Sequence, residues 1–118
     1  MTTKAEGDYG YGEVPVKVWL DDQRPAPEGW VRVRTPEEAI GLLRGGGVEE
    51  LSLDHDLGLD VGTRERTGYD VLLWLEREVA EGRMRPPAVM RVHSGNVGAV
   101  GRMEQAVESI RRLAGGLR

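Results

Sequence analysis

Val14-Pro15-Val16-Lys17-Val18-Trp19-Leu20-Asp21-Asp22 is the stretch on which the fold turns. An apolar run rich in β-branched residues gives way in one step to two carboxylates, as a buried strand does at its carboxyl end. Glu50-Leu51-Ser52-Leu53-Asp54 repeats the pattern. Ala88 to Val92 repeats it again and runs into His93-Ser94-Gly95-Asn96. Trp30-Val31-Arg32-Val33-Arg34 alternates apolar and charged residues, which predicts a further strand with one wetter face. Gln23 to Gly29, with two prolines and a glycine, is turn chemistry.

The intervening segments carry helical spacing. At Thr35-Pro36-Glu37-Glu38, Thr35 caps a helix, Pro36 fits its first position, and Glu38 completes a capping box. Ala39, Leu42 and Leu43 form its apolar stripe, and Gly45-Gly46-Gly47 ends it. Thr67 and Asp70 open a second helix on Leu72, Leu75 and Val79, which stops near Gly82. Val100, Met103, Val107 and Ile110 mark a third, with Gly98 and Gly101 weakening its first turn. This alternation predicts an α/β domain built on a short parallel sheet of about four strands, joined by right-handed crossovers.

A length of 118 residues suits one domain. Residues 14–118 are read as that domain, and residues 1–13, which hold no aliphatic cluster, as a flexible leader. Cysteine is absent, which excludes disulfides, thiolate metal sites and a cysteine nucleophile. No apolar run approaches the ~20 residues of a membrane span, and the polar N-terminus does not read as a signal peptide. A cytoplasmic protein that makes no membrane contact is expected. Lys+Arg is 16 against Asp+Glu 20, a formal net charge of −4 that argues against a long nucleic-acid duplex as partner. Composition leaves the oligomeric state open.

Parallel α/β sheets gather ligands beyond the carboxyl ends of their strands, where strand order reverses. The three unusual segments of this chain all fall at such ends. Asp21-Asp22 either binds a cation, pairs with arginine or shares a proton, or one member caps a turn. Asp54-His55-Asp56 offers hard oxygen ligands around a titrating imidazole, or else forms a polar turn ended by Gly58. Several carboxylates converging there would repel one another strongly unless a cation joined them. His93-Ser94-Gly95-Asn96 leaves backbone N–H groups open to an anion at a helix start, while Ser94 and Asn96 also suit ordinary capping. The chain has only 2 histidines, and both lie in these segments. Trp19, Trp30 and Trp74 read as core or core-edge packing. Arg64 and Arg66 read as solvated loop, and Gly68-Tyr69-Asp70 as loop-to-helix punctuation.

Taken together, LDDQRPAPEGW (20–30), SLDHDLG (52–58), TGYDVLLWLE (67–76) and HSGN (93–96) resemble the cyclic-phosphate processing receiver-like domains. The resemblance runs from about Val16 to Met103. It implies a receiver-like (flavodoxin-like) three-layer sandwich and an association with RNA repair and cyclic phosphate ends. By this likeness, Asp21 and Asp22 match the acidic pair after the first receiver strand. Asp54 matches the acceptor aspartate and Ser94 the hydroxyl residue after the fourth strand. His55, Asp56, His93 and Asn96 are what set the family apart from other receivers. One departure follows HSGN, where Val97-Gly98-Ala99-Val100-Gly101-Arg102 replaces the family's proline, glycine and arginine run. The phosphorelay lysine is missing too, since Lys4 and Lys17 are the only lysines and no fifth strand is legible.

The expected function is therefore a metal-assisted phosphoesterase, a hydrolase acting on a 2′,3′-cyclic phosphate of an RNA end or nucleotide. Asp21, Asp22, Asp54 and Asp56 are the expected ligands of Mg²⁺ or Mn²⁺, because the donors are hard oxygens. Asp54, His55 and His93 are the expected catalytic residues, the histidines serving as general base and general acid. Ser94, Asn96 and Arg24 are the expected phosphate contacts. A phosphoacceptor receiver, a metal-dependent phosphomonoesterase and a non-catalytic phosphate-binding module are the alternatives.

Overall fold

The computed structural model describes residues 16–55 and 67–116. The leader at 1–13, Asp56, Gly58, Arg64 and Arg66 lie outside these residues. In chain order the elements are β1 (Val16–Leu20), β2 (Val31–Val33), α1 (Pro36–Gly45), β3 (Val48–Leu53), α2 (Gly68–Ala80), β4 (Val89–Val92) and α3 (Val97–Gly115). The four strands form one sheet in the order β2-β1-β3-β4, and each neighbouring pair is parallel. The chain leaves β1 for β2 on one side and later returns to β3 on the other. Strand order thus reverses between β1 and β3, which makes their carboxyl ends the switch point.

Each helix begins as its sequence dictates. Thr35 Oγ1 accepts the Glu38 amide at 3.1 Å, while Glu38 Oε1 accepts the Arg34 and Thr35 amides at 2.8 and 3.2 Å. Thr67 accepts the Tyr69 amide at 3.1 Å, and Asp70 Oδ2 takes the Thr67 amide at 2.8 Å. At α3, Asn96 Oδ1 accepts the Ala99 amide at 3.1 Å. Val97, where the family's proline would stand, occupies the first helical position, so the substitution leaves the helix start in place. Gly98 and Gly101 do not interrupt α3, whose buried Ala99, Met103, Val107 and Ile110 anchor it through tertiary packing. After α1, Gly46 (φ 80°) and Gly47 (φ 83°) turn the chain through left-handed backbone into β3.

Register separates the sheet into two unlike faces. Val18, Leu20, Leu51, Leu53 and Met90 point to one side, where they join Ala39 and Leu43 of α1 in a single buried cluster. Val33 of β2, Val71, Leu72, Leu75 and Val79 of α2 and Met103, Ala106, Val107 and Ile110 of α3 complete that cluster. The other side carries Lys17, Trp19, Arg32, Glu50, Ser52 and Arg91, paired across the strands as Trp19 with Arg32 and Ser52, and Ser52 with Arg91. All three described helices share the one core, so among the described residues they make one helical layer on a parallel receiver-like sheet, two layers where the resemblance implies three. Trp74 packs against the core as expected. Trp19 and Trp30 do not: on the opposite face they meet each other edge-on, and Trp19 also stacks on His93. No described helix is long and apolar enough to cross a membrane.

Candidate active site

The sheet ladder continues one rung beyond the strands, and this rung positions the site. The Asp21 amide donates to the Val33 carbonyl at 3.0 Å, that of Asp54 to Leu20 at 3.0 Å, and that of His93 to Leu53 at 2.9 Å. Each residue directly follows an apolar run, so burial of that run fixes the height at which its side chain emerges. Three segments distant in sequence thereby reach one edge.

The two members of the Asp21-Asp22 pair divide the alternatives that their sequence left open. Asp21 is fully buried. Its Oδ1 accepts the amides of Gln23 and Arg24 at 2.8 and 2.9 Å, an Asx-type turn that closes the loop after β1. Its Oδ2 lies 3.1 Å from His93 Nε2. The carboxylate Oδ1 of Asp22 is instead buried without a hydrogen-bond partner. Such an atom costs on the order of 1–3 kcal/mol unless something meets it. Asp21, Asp22 and Asp54 each present an oxygen within 4.8 Å of the others. A buried, unmatched oxygen among three hard donors is the chemistry of a site for a divalent cation, and the residues fit one.

Charge distribution supports the same reading. Burial would raise the Asp21 carboxyl, but the Arg24 and Gln23 amides and His93 outweigh it and hold it below the usual carboxylate value. Asp54 is displaced upward, by burial first and then by the negative charge of Asp21. The His55 amide and the Ser94 hydroxyl offset this only in part. One carboxylate is therefore held ionised beside another that resists ionisation, and a cation would relieve the second.

His93 is held from three sides. Its Nδ1 is 2.7 Å from Ser52 Oγ, its Nε2 faces Asp21, and its ring stacks on Trp19 with centroids 3.8 Å apart. An ionised carboxylate only accepts, so in the neutral ring Nε2 carries the proton and Nδ1 accepts the Ser52 hydroxyl. Burial lowers the affinity of His93 for a second proton, against the pull of Asp21. Both ring nitrogens thus face protein groups.

The expected phosphate contacts fall near this edge with distinct geometries. Ser94 bonds the Asp54 carboxylate and also accepts the Asn96 amide at 3.1 Å. The Asn96 side chain caps α3. Arg24 is exposed on the turn that Asp21 closes, with its charge close enough to bear on His93. His55 directly follows Asp54 and is half-buried. Arg102 is exposed on α3.

Ser52 and Gly68 join the site without having been singled out in the sequence. Ser52 sits on the same face of β3 as Asp54, two residues earlier, and strand alternation was the signal available for it. Gly68 abuts the main chain of Asp54: a Cβ there would collide with the Asp54 carbonyl oxygen and press within 3.2 Å of Met103 Cε. What reads as loop-to-helix punctuation is a close approach that seats α2 under the Asp54 turn.

A parallel α/β sheet with acids at the carboxyl ends of its first and third strands, and a hydroxyl residue beyond its fourth, defines a receiver-type domain. The chain belongs to the family described as Cyclic-phosphate processing Receiver domain, whose match spans residues 16–109. No curated protein and no solved structure gives a match.

Proposed function

We propose that this domain is a metal-assisted phosphoesterase that opens a 2′,3′-cyclic phosphate on an RNA end or a nucleotide. The observation that carries the reading is the convergence of Asp21, Asp22 and Asp54, together with a buried Asp22 oxygen that has no hydrogen-bond partner. Asp22 and Asp54, with Asp21, would hold Mg²⁺ or Mn²⁺. When bound, the ion supplies charge neutralisation to the phosphoryl oxygens.

The chain's own residues supply the rest. The α3 N-terminus, whose first turn carries no acidic residue, presents its positive end beside Ser94 and favours the anionic phosphate. Arg24 adds a guanidinium from the facing turn. His55, next in chain to Asp54, takes the general-base role toward water in this reading. With both ring nitrogens facing Asp21 and Ser52, His93 is assigned to orient Asp21, and the leaving sugar oxygen takes its proton from solvent. The small ligand or single RNA end accords with the net charge of −4.

The test is turnover of a 2′,3′-cyclic nucleotide by the full chain under Mg²⁺, Mn²⁺ or chelator. Ring opening that needs the ion and is lost in Asp54→Asn and His55→Ala is expected. Absence of turnover with every ion overturns the reading. A phosphoryl adduct on Asp54 after incubation with a small phosphodonor, without turnover, would establish the signalling alternative instead.

A further inference from the structure

The sheet face opposite the core extends well beyond the groups that position His93. Its composition is unlike that of an idle surface. Trp19 stacks on His93 at 3.8 Å, Trp30 meets Trp19 edge-on at 5.8 Å, and Lys17 Nζ lies 5.8 Å from the Trp30 ring. These contacts form a continuous line from the acidic edge down the face of the sheet. Lys17, Arg32 and Arg91 stand on this face by register, against one acid, Glu50. A chain with net charge −4 thus keeps a cationic, aromatic strip beside its acidic site.

Glu50 does not cancel the strip. It sits 3.9 Å from both Lys17 and Arg91, too loosely for either to be locked. Arg91 is 63% exposed in its side chain and Lys17 44%. Arg32 donates from Nε to the Asp21 carbonyl at 3.1 Å, which ties the strip to the site. No described helix packs there, since all three contribute to the opposite core.

We infer that this face is a platform for the single-stranded RNA leading to the reacting end. Aromatic rings interleaved with cations on a sheet face that no described helix covers are suited to single strands, whose unstacked bases lie on the rings while phosphates meet the cations. Trp30 is the stacking residue, and Lys17, Arg32 and Arg91 are the phosphate contacts. The inference rests on the proposed function for its polarity, since it places the 3′ end toward His93 and Asp54. The platform makes a polynucleotide end, rather than a free mononucleotide, the preferred ligand.

Binding is measured without chemistry, using a single-stranded RNA of about eight nucleotides with an ordinary 3′-hydroxyl. Tryptophan quenching and anisotropy of the labelled strand are followed with the full chain across a salt series. Quenching on binding is expected, with log K falling against log salt at a slope of about −2, from about −0.7 for each of three phosphates. Trp30→Ala should weaken binding at least about 5-fold. The double variant Lys17→Ala/Arg91→Ala should flatten the slope to about −0.7 while leaving turnover of a cyclic mononucleotide unchanged. Asp54→Asn should bind the strand as well as the wild type does. The inference is overturned if the strand does not bind, if Trp30→Ala and the double variant bind normally, or if an acidic peptide competes equally. Strand binding without mononucleotide turnover would remove the catalytic reading and keep the platform; turnover without strand binding would do the reverse.

Discussion

The two faces of the sheet follow different rules. Toward the helices, Val18, Leu20, Leu51 and Leu53 are almost fully buried, and no charged group interrupts them. Toward the other side, Lys17, Trp19, Glu50, Ser52 and Arg91 alternate with those residues along the same strands. One face is specified by volume and apolar area, and it holds the strands at fixed height. The second contributes less to stability and sets the position of His93 through Ser52 and Trp19. Core packing supplies the rigidity that the strand-end site needs.

The largest effect should come from the first face. Leu51→Ala should lose about 2–5 kcal/mol in denaturant unfolding, because the side chain is fully buried in the core. If it costs less than Arg91→Ala, the division between the faces is wrong. Next is Gly68→Ala, where a methyl meets the Asp54 carbonyl. A loss of about 1–3 kcal/mol is expected by thermal or chemical unfolding, together with weakened Mn²⁺ binding as the Asp54 turn is displaced.

Removal or addition of the ion comes third. A divalent cation at a hundredfold excess over its Kd should stabilise the wild type by about 2.7 kcal/mol, read as a rise in Tm, and chelator should abolish the rise.

Asp54→Asn tests the charge distribution with a smaller effect and a definite sign. Burial and the Asp21 charge raise the Asp54 carboxyl above its ordinary value of 3.8. Its favourable contribution is therefore fully present below pH 3.8 and fades as pH rises through the raised value. Asp21 is lowered instead, so its contribution is present above its ordinary 3.8 and fades as pH falls through its lowered value. Without added metal, Asp54→Asn should be more stable than the wild type at neutral pH, and the gain should vanish in acid. A wild type that gains stability from Asp54 ionisation would contradict this. Smallest of all, Arg91→Ala should stay within about 0.5 kcal/mol of the wild type in unfolding, since its ion pair is exposed and loose.

Much of this organisation is legible in the residues themselves. The apolar runs that end at Asp21, Asp54 and His93 announce both the strands and their carboxyl edge. Thr35 with Glu38 and Thr67 with Asp70 announce two helix starts through local hydrogen bonding alone. Long-range features are not written locally. Period-two alternation groups Trp19 with Lys17, but it does not say which group the helices will cover, and large aromatic rings suggested the core. The assignment of Asp21 to the turn and Asp22 to the unmatched position depends on which carboxylate meets the Gln23 and Arg24 amides. Gly68 reads locally as loop-to-helix punctuation, because the Asp54 carbonyl that packs against it is distant in the chain. The partners of His93, Ser52 and Asp21, are far away in the chain, so its local sequence does not announce them.

The convergence of strand ends on one cation is tested most directly by a Mn²⁺ titration followed by electron paramagnetic resonance. The wild-type chain should take up a single ion, with the free-ion signal lost in proportion to protein, and Asp22→Ala and Asp54→Asn should each leave the ion free. Equal uptake by wild type and both variants, or no uptake by any of them, would contradict the claim that Asp21, Asp22 and Asp54 form a metal centre.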